Sequence, residues 1–543
     1  MNRKDKAIFL RMVSICLVFA LLFSLVIAGC APKEPVVEPM VPAPSEGTEA
    51  EVPTEPQKEG GVLKLGIALK PTVLGYAAEM RTYQEFLIGS TALEPLGRHD
   101  ETGQMQPWLA ESWESDADAK TVTVKLKRGI KFHDGTDFNA EAVKWNMDEF
   151  LNYGRAEAKD LESTDVIDEY TVRLNLVNWN SSLMDALFYF VLMTSPTAFE
   201  KNDKDWAANN PIGTGPFKFD SWDRDVSVKF TKFEDYWQEG KPYLDAVEWH
   251  LIADAMTAMA SFRAKEVDAL VNLEPGIARQ IEGTGAEIKK LETGLGAMAI
   301  GFAGDSINSN SPFSDVRVRK ALSFAVDSEE ITESILYGYA VATNQWGVPG
   351  SWSYNPAVEK YAYNPEKAKQ LLAEAGYPDG FKTKLTTLNS PMEVQIMTAV
   401  QGYLAEVGID AQMELVDTAH YREITNVASD PWDGLMLYRG RGDADVVTYM
   451  PRNFSSKGLL MVNGLITTDK IDKLLVDAAA ASDFETVRKI AFELQKEIYE
   501  EQCIITPLFV LTMPVAKYPN LHDEGFNKAQ ASLWTPESAW IEK

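Results

Sequence analysis

Segments with strand patterns and segments with helix patterns alternate along most of the chain. Residues 121–127 alternate apolar and polar side chains, as a strand with one buried face does. A glycine-containing turn at 133–136 and a helix pattern follow, and Asn139 is the expected helix cap. A second helix pattern, 367–376, ends in glycine and precedes the strand pattern 382–388. We find no fixed-period repeat, so the sequence predicts an α/β fold and argues against solenoids and propellers.

Length and charge narrow the class of protein further. The chain has 543 residues, 45% of them apolar and 24% charged, which is a composition that folds. One hydrophobic core stops growing at roughly 250–300 residues, so we expect at least two lobes with a cleft between them. The net charge of −28 would repel a phosphate backbone, and we therefore predict no nucleic-acid partner. Three cysteines, Cys16, Cys30 and Cys503, are too few for a disulfide framework or a four-cysteine zinc site.

The amino terminus has the pattern of an export signal. Four basic residues come first: Arg3, Lys4, Lys6 and Arg11. They precede an apolar run of 17 residues, 12–28, which is at the short limit for a permanent membrane span. Residues 27–30, Ile-Ala-Gly-Cys, resemble the bacterial lipobox, in which the cysteine is lipidated and becomes the first residue after cleavage. We therefore predict a signal peptide over 1–29 and a lipid anchor on Cys30, at the outer face of the cell membrane or the periplasmic side in a two-membrane cell.

The segment after Cys30 is predicted to be a tether. Residues 31–61 contain seven prolines, seven glutamates, two lysines and no aromatic residue. Such a segment cannot bury enough apolar area to offset its ordering entropy. Proline stiffness and like charges favour an extended spacer, which suits a protein that works at a membrane-embedded partner.

Nine short blocks occur in order along the rest of the chain. They are AESWE at 110–114, TVTVKLKRGIKFHDGT at 121–136, AEAV at 140–143, NPIGTGPF at 210–217, YW and KPYLD within 236–245, FSDVRVRKALSFAVD at 313–327, VGID at 407–410 and IITPLF at 504–509. Together they resemble the bacterial extracellular solute-binding proteins of family 5. The members of this family are the receptors of peptide and nickel ABC importers.

The resemblance implies a two-lobed, periplasmic-binding-protein-like clamp of type II, in the large form with an extra subdomain in lobe I. The implied divisions are a lipidated tether at 30–61, lobe I at 62–97, its extra subdomain at 98–205, lobe I again at 206–297, lobe II at 298–506 and a return to lobe I at 507–543. The two crossings form a hinge, and a solute that contacts both lobes favours the closed form. The implied partners are a small-molecule or peptide solute and the permease subunits of an ABC transporter, with the receptor itself a monomer.

Enzyme motifs are missing from the sequence. Its five histidines lie too far apart for an H-E-x-x-H metal pair, and no G-x-S-x-G elbow occurs. Cys503 lies in an apolar stretch that favours a buried, inert thiol over a nucleophile. We predict no catalytic residue, no cofactor and no metal site. A cell-surface hydrolase stays as the alternative from another class, because paired carboxylates can meet in space without a local motif.

The stretch 432–445, which has the pattern of a strand ending in a glycine-punctuated loop, is the most informative candidate for solute binding. In similar peptide receptors, an aromatic residue of this loop is followed three positions later by an aspartate that pairs with the peptide α-amine. Here Tyr438 is followed by Arg441, and Asp443 lies two residues further on. A guanidinium that faces the cleft suits a solute that is neutral or anionic at that end. The alternative is that Arg439 and Arg441 pair with nearby aspartates at the surface.

The predicted solute contacts come from both lobes. Trp346 lies in a lobe II loop whose position resembles the ligand-facing loop of the family, whereas Arg81 and Tyr83 would approach from lobe I. The complete set is Arg81, Tyr83, Trp346, Trp432, Tyr438, Arg439, Arg441 and Asp443. We expect an oligopeptide-type solute, and the alternative is a sugar, an anionic small solute or a metal chelate.

Overall fold

The structure is a computed structural model that describes residues 58–290, 298–442, 446–526, 533–534 and 536–543. The predicted signal peptide, Cys30, most of the tether and Asp443 lie outside these residues. The strands are β1 (Val62–Ile67), β2 (Gly97–His99), β3 (Met105–Pro107), β4 (Ala110–Asp116), β5 (Thr121–Leu126), β6 (Leu161–Asp168), β7 (Thr171–Leu176), β8 (Phe217–Asp223), β9 (Ser227–Lys232), β10 (Ala246–Leu251), β11 (Ala269–Val271), β12 (Glu287–Lys289), β13 (Met298–Gly304), β14 (Ala340–Ala342), β15 (Phe381–Leu388), β16 (Ile409–Val416), β17 (Leu435–Arg441), β18 (Thr506–Leu511), β19 (Val515–Lys517), β20 (Leu521–His522) and β21 (Trp540–Ile541). The α-helices are α1 (Tyr83–Gly89), α2 (Ala140–Asn152), α3 (Pro196–Lys201), α4 (Lys204–Asn209), α5 (Ala255–Arg263), α6 (Pro275–Ile281), α7 (Val316–Ala325), α8 (Ser328–Ser334), α9 (Pro365–Glu374), α10 (Pro391–Glu406), α11 (Thr418–Ile424), α12 (Val446–Phe454), α13 (Asp469–Ala480) and α14 (Phe484–Lys496).

Lobe I is built on a seven-stranded mixed sheet. Its strand order is β12-β19-β11-β1-β10-β9-β8, with β1 parallel to both β10 and β11. Residues 62–67 alternate apolar with small or polar side chains, a pattern that predicts a strand, and Leu63, Leu65 and Ile67 of β1 are buried. β1 is therefore the central strand of this sheet, with β11 on one side and β10 on the other.

The extra subdomain of lobe I is a four-stranded antiparallel sheet, β4-β5-β7-β6, covered by α2. Val122, Val124 and Leu126 of β5 face its core, which confirms the one-sided strand predicted there. Oδ1 of Asn139 accepts a hydrogen bond of 3.1 Å from the backbone N–H of Ala142, which confirms the predicted helix cap.

Lobe II is built on a six-stranded sheet of order β14-β18-β13-β17-β15-β16. β13 is antiparallel to its neighbours β17 and β18, whereas β15 is parallel to β16 and β17. The helix α10 connects β15 to β16, as a parallel crossover requires. This arrangement places β17 near the middle of the sheet.

Sheet membership locates where the chain passes between the lobes. The first passage lies between β12, which ends at Lys289, and β13, which begins at Met298. The return expected at residue 507 is wrong by several residues, because β18 (Thr506–Leu511) pairs with β13 and β14 in the lobe II sheet. The chain rejoins the lobe I sheet only at Val515. Every residue of β18 is buried, so its pattern carries no sign of which sheet it joins.

The glycine-rich segment 213–216 is a close-packed turn. A Cβ atom on Gly213 would lie 2.3 Å from the carbonyl oxygen of Ala92, and one on Gly215 would lie 2.7 Å from the carbonyl carbon of the same residue. Any side chain larger than that of glycine at these two positions would therefore clash with the backbone of Ala92.

A buried carboxylate ties together distant segments of lobe I. Glu94 is fully buried, and its two oxygens accept hydrogen bonds of 2.8–3.0 Å from four side chains. The donors are Nε1 of Trp108, Oγ1 of Thr214, the hydroxyl of Tyr236 and Nε1 of Trp237. The guanidinium of Arg98 lies 3.6 Å away and also reaches Glu537 at 3.3 Å. Glu94 therefore joins the extra subdomain to the 213–216 turn, and Arg98 extends the network to Glu537 in the carboxyl-terminal segment.

Candidate functional site

A cavity of about 200 Å³ lies in lobe II between the carboxyl-terminal half of β17 and the helix α12. It is lined by Trp346, Tyr438, Arg439, Gly440, Arg441, Tyr449, Met450, Arg452, Asn453, Phe454 and Leu460. Four of the residues predicted to contact solute therefore line one cavity. They are Trp346, Tyr438, Arg439 and Arg441.

Three aromatic rings form one side of this cavity. Tyr438 lies between the others: its ring centroid is 5.5 Å from that of Trp346, with 20° between the ring planes, and 6.4 Å from that of Phe454, with 19°. All three side chains are more than 95% buried. Rings fixed in this way offer a planar apolar surface at little entropic cost when a solute packs against them.

The polar groups of the stacked rings differ in their pairing. The hydroxyl oxygen of Tyr438 accepts a hydrogen bond of 2.8 Å from Nδ2 of Asn453 on α12. Burial raises the pKa of Tyr438, so this phenol is neutral at physiological pH. The indole Nε1 of Trp346 is buried and makes no hydrogen bond of standard geometry to the described residues.

The three arginines of the cavity have different surroundings. Nη1 of Arg441 donates a hydrogen bond of 2.7 Å to the hydroxyl oxygen of Tyr449. Nε of Arg439 lies 3.7 Å from Oε1 of Glu393, a buried carboxylate at the start of α10. Arg452 is exposed, and its guanidinium makes no hydrogen bond or ion pair to any described residue. Three of the described residues that line the cavity are therefore cationic, in a chain whose net charge is −28.

Lobe I reaches the same aromatic region through Tyr83, the first residue of α1. This side chain is partly buried and packs against the apolar cluster of lobe II that contains Trp346, Tyr438 and Phe454. It packs against the core of the lobe I sheet as well. Tyr83 therefore lies where the two lobes meet, and burial raises the pKa of its hydroxyl.

A second interlobe contact joins the extra subdomain to the end of α13. The backbone N–H and Oγ of Ser181 donate hydrogen bonds to the carbonyl oxygens of Ala479 and Ala478, at 2.9 and 2.7 Å. Nε1 of Trp179 donates to the carbonyl oxygen of Ala481 at 2.8 Å. Lobe I side chains thus satisfy carbonyl groups that a helix end leaves without intrahelical partners. We call this set of three bonds the α13 contact.

Two predicted solute contacts, Arg81 and Trp432, do not line the cavity. Nη1 of Arg81 donates to the carbonyl oxygens of Ala78 and Met80, at 2.8 and 3.0 Å. Trp432 lies before β17, at the other end of the strand from Arg441, and lines a separate hollow of about 570 Å³. It packs so closely on Gly464 that a Cβ there would lie 2.1 Å from the indole. Asp443, and the alternative pairing of the arginines with Asp443 and Asp445, lie outside the described residues.

Sequence reasoning missed the contribution of α12. Tyr449, Arg452 and Asn453 have the i, i+3, i+4 spacing that places side chains on one side of a helix, and all three line the cavity. This spacing indicates one side of a helix and could have been recognised in the sequence. Pro451, inside the helix, obscured it because proline normally marks a helix end.

A buried thiol and clusters of acidic, histidine and cysteine side chains are the groups that an enzyme could use. Cys503 is 2% exposed, and burial raises the pKa of its thiol to about 11, so it is protonated at physiological pH. Among the described residues, no group of three or more His, Cys, Asp and Glu side chains is arranged to hold a metal ion. Within the same ranges, no helix has the length and apolar character that a bilayer crossing requires.

Solved structures share the architecture of this chain. The substrate-binding protein CtaP from Listeria monocytogenes matches with a TM-score of 0.78 at 21% sequence identity, over 90% of this chain and all of the other. AppA from Bacillus subtilis, an oligopeptide-binding protein solved with a nonapeptide, matches with a TM-score of 0.67 at 25% identity, again over 90% of this chain and all of the other. The fold is therefore that of the two-lobed periplasmic binding proteins, as predicted.

Sequence comparison identifies the family. The family model described as bacterial extracellular solute-binding proteins, family 5 middle, matches residues 104–459. The glutathione-binding protein GsiB from Shigella flexneri is 31% identical over 456 residues, which cover 80% of this chain and 87% of GsiB. The chain belongs to the family 5 extracellular solute-binding proteins, which confirms the predicted family. Its relatives are solute-binding proteins of transport systems.

Proposed function

We propose that this protein is the lipid-anchored receptor of an ABC importer, and that it captures an oligopeptide-type solute outside the cell without covalent chemistry. One end of the solute occupies the cavity between β17 and α12. The observation that carries the proposal is that Trp346 and two residues of β17, Tyr438 and Arg441, line one cavity, and that Tyr83 of lobe I packs against the apolar cluster to which Trp346 and Tyr438 belong. The glutathione-binding and peptide-binding relatives support a peptide-type solute.

Closure of the two lobes on the solute is the expected mechanism. A solute that contacts both lobes stabilises the closed form by RT ln(1 + [L]/Kd), which is roughly 2.7 kcal/mol at a hundredfold excess over Kd. Native mass spectrometry of the purified protein should first reveal any retained solute. Small-angle scattering should then show a smaller radius of gyration when reduced glutathione or short peptides are added to the emptied protein, and its unfolding temperature should rise. Tight binding of a solute without compaction would contradict the clamp mechanism.

Membrane anchoring through Cys30 is a separate prediction. The apolar run before Cys30 is removed with the signal peptide in this proposal, which leaves the lipidated cysteine as the attachment point. The Cys30→Ala variant should therefore appear in the soluble extracellular or periplasmic fraction. Fractionation followed by a salt wash measures this. An exported Cys30→Ala protein that stays membrane-bound after the wash would show that another segment anchors it.

A further inference from the structure

We propose that a second cavity, separate from the one between β17 and α12, is a binding site for a quaternary ammonium group. This second cavity lies between the extra subdomain of lobe I and the turn that connects α13 to α14 in lobe II. Its volume is about 310 Å³, within the range of about 300–1,000 Å³ that is usual for small-molecule sites. We call it the interlobe cavity. Six large apolar side chains line it: Met105, Trp113, Trp179, Met184, Trp352 and Phe484.

Aromatic side chains reach the interlobe cavity from both lobes. Trp113 and Trp179 belong to the extra subdomain, whereas Trp352 and Phe484 belong to lobe II. The ring centroids of Trp352 and Phe484 are 5.1 Å apart with 66° between the ring planes, so these two rings form a corner. The hydrogen bond from Nε1 of Trp179 to the carbonyl oxygen of Ala481 fixes a third ring in place. Aromatic faces attract cations, and several rings around one cavity form the kind of cage that binds quaternary ammonium groups.

Carboxylates supply negative charge at the same cavity. Asp185 pairs with His99, and Asp483 lies at the start of α14. The backbone N–H and the hydroxyl of Thr486 donate hydrogen bonds of 2.9 and 2.7 Å to Asp483. These bonds lower the pKa of Asp483, so its carboxylate is charged at physiological pH. An adjoining hollow, which shares two lining serines with the interlobe cavity, has three more carboxylates: Glu114, Asp116 and Asp118.

The hydrogen bonds of the two lining carboxylates determine which kind of cation fits. A primary ammonium group carries three N–H donors and needs an acceptor for each of them. The carboxylates of Asp185 and Asp483 are already engaged by His99 and Thr486, and the apolar side chains offer no strong acceptor. A quaternary ammonium group has no N–H donor. It can therefore leave these bonds intact and be held by the aromatic faces and by the charge of the carboxylates.

The interlobe cavity exists only while the lobes are together. The α13 contact borders it, because Trp179 and Ser181 are also lining residues. The backbone N–H of Trp352 donates a hydrogen bond of 3.0 Å to the carbonyl oxygen of Thr102, which joins the lobes a second time beside the cavity. Separation of the lobes divides the set of aromatic rings. The cation therefore binds the closed arrangement and stabilises it.

Calorimetric titration with three matched probes tests this proposal. Choline carries a quaternary ammonium group and a hydroxyl. Its carbon analogue, in which a tert-butyl group replaces the trimethylammonium group, has the same shape without the charge, and ethanolamine keeps the charge but presents N–H donors. Wild type should bind choline at least about tenfold more tightly than either of the other two, because only choline combines a positive charge with methyl groups that pack against aromatic faces.

Two variants locate the bound cation. Asp483→Asn removes one negative charge and keeps the cap of α14, since asparagine caps a helix as well as aspartate does. Its affinity for choline should fall about threefold or more, while its affinity for the carbon analogue stays within about twofold of wild type. Trp352→Leu removes an aromatic face and should lower the affinity for choline by about tenfold. Asp417→Asn is the matched control, because Asp417 caps α11 and does not line the interlobe cavity.

Four results would overturn the proposal. Choline and its carbon analogue bound equally would show an apolar cavity only, and choline and ethanolamine bound equally would show attraction by charge alone. The others are no binding of choline, and choline binding that Asp483→Asn weakens no more than Asp417→Asn does. The last comparison stays decisive if Trp352→Leu is destabilised, because Asp483→Asn retains its helix cap. Each of these results would leave the receptor function standing, since solute capture is measured separately by compaction.

Discussion

Replacing Trp346 with alanine should lower the free energy of unfolding by about 3–5 kcal/mol, the usual cost of removing a buried tryptophan. Its side chain is 96% buried and stacks on Tyr438, so the substitution opens a void beside the cavity and frees the tyrosine ring. Solute affinity should fall by tenfold or more because one side of the binding surface is lost. Urea denaturation and calorimetric titration measure the two effects.

Two further substitutions distinguish the loss of an aromatic surface at the cavity from the loss of a tryptophan elsewhere as the cause of weaker solute binding. Trp346→Phe keeps an aromatic surface and should recover most of the affinity at a smaller cost in stability. Trp222→Ala removes a partly exposed tryptophan from β8 in lobe I and should leave solute binding unchanged. If Trp346→Ala bound solute like wild type, Trp346 would have only a packing role, and the proposed location of the site would lose its main support.

Replacing Glu94 with alanine should destabilise the protein by about 3–5 kcal/mol, because a buried ion pair is broken from one side. The change leaves Arg98 with Glu537 alone and removes the acceptor of four side-chain hydrogen bonds. Glu94→Gln should cost less, since its carbonyl oxygen still accepts hydrogen bonds. The unfolding temperature of each variant provides the measurement.

Glu114→Gln is the control for this series, because Glu114 is an exposed residue of β4 in the same lobe. Its effect should stay within about 0.5 kcal/mol. A Glu94→Ala protein as stable as wild type would show that the network around Glu94 contributes no net stability. Solute affinity measured at a temperature where the variant is folded should remain normal, since Glu94 belongs to lobe I and lines no part of the cavity.

Sequence patterns predicted the elements whose signals are local. The alternation in β1 and β5 and the cap at Asn139 depend on a few neighbouring residues, and the structure reproduces all three. The return at residue 507 was wrong because a uniformly buried strand gives no indication of the sheet that it joins. Local chemistry therefore specifies elements better than it specifies their partners in space.

The residues of the candidate site were also predicted only where neighbours in the sequence are neighbours in space. The pattern of Tyr438 and Arg441 located one side of the cavity, but proximity along the chain was a poor guide to Trp432. Strands rise about 3.3 Å per residue, so the two ends of β17 are about 20 Å apart, and residues at its ends face different hollows. Arg452 was missed because it reaches the cavity from α12, which only tertiary packing brings beside β17.

The α13 contact has a consequence for how long a bound solute is held. Its three hydrogen bonds, from Trp179 and Ser181 to carbonyl groups at the end of α13, join the lobes without involving the cavity between β17 and α12. Lobe separation at this point must break them whichever solute is bound. They therefore add the same amount to the free-energy barrier for lobe opening whichever solute is bound. The dissociation rates of different solutes are lowered by the same factor. A permease that draws the extra subdomain away from α13 would shorten the residence time of every solute alike, without competing for any group that recognises it.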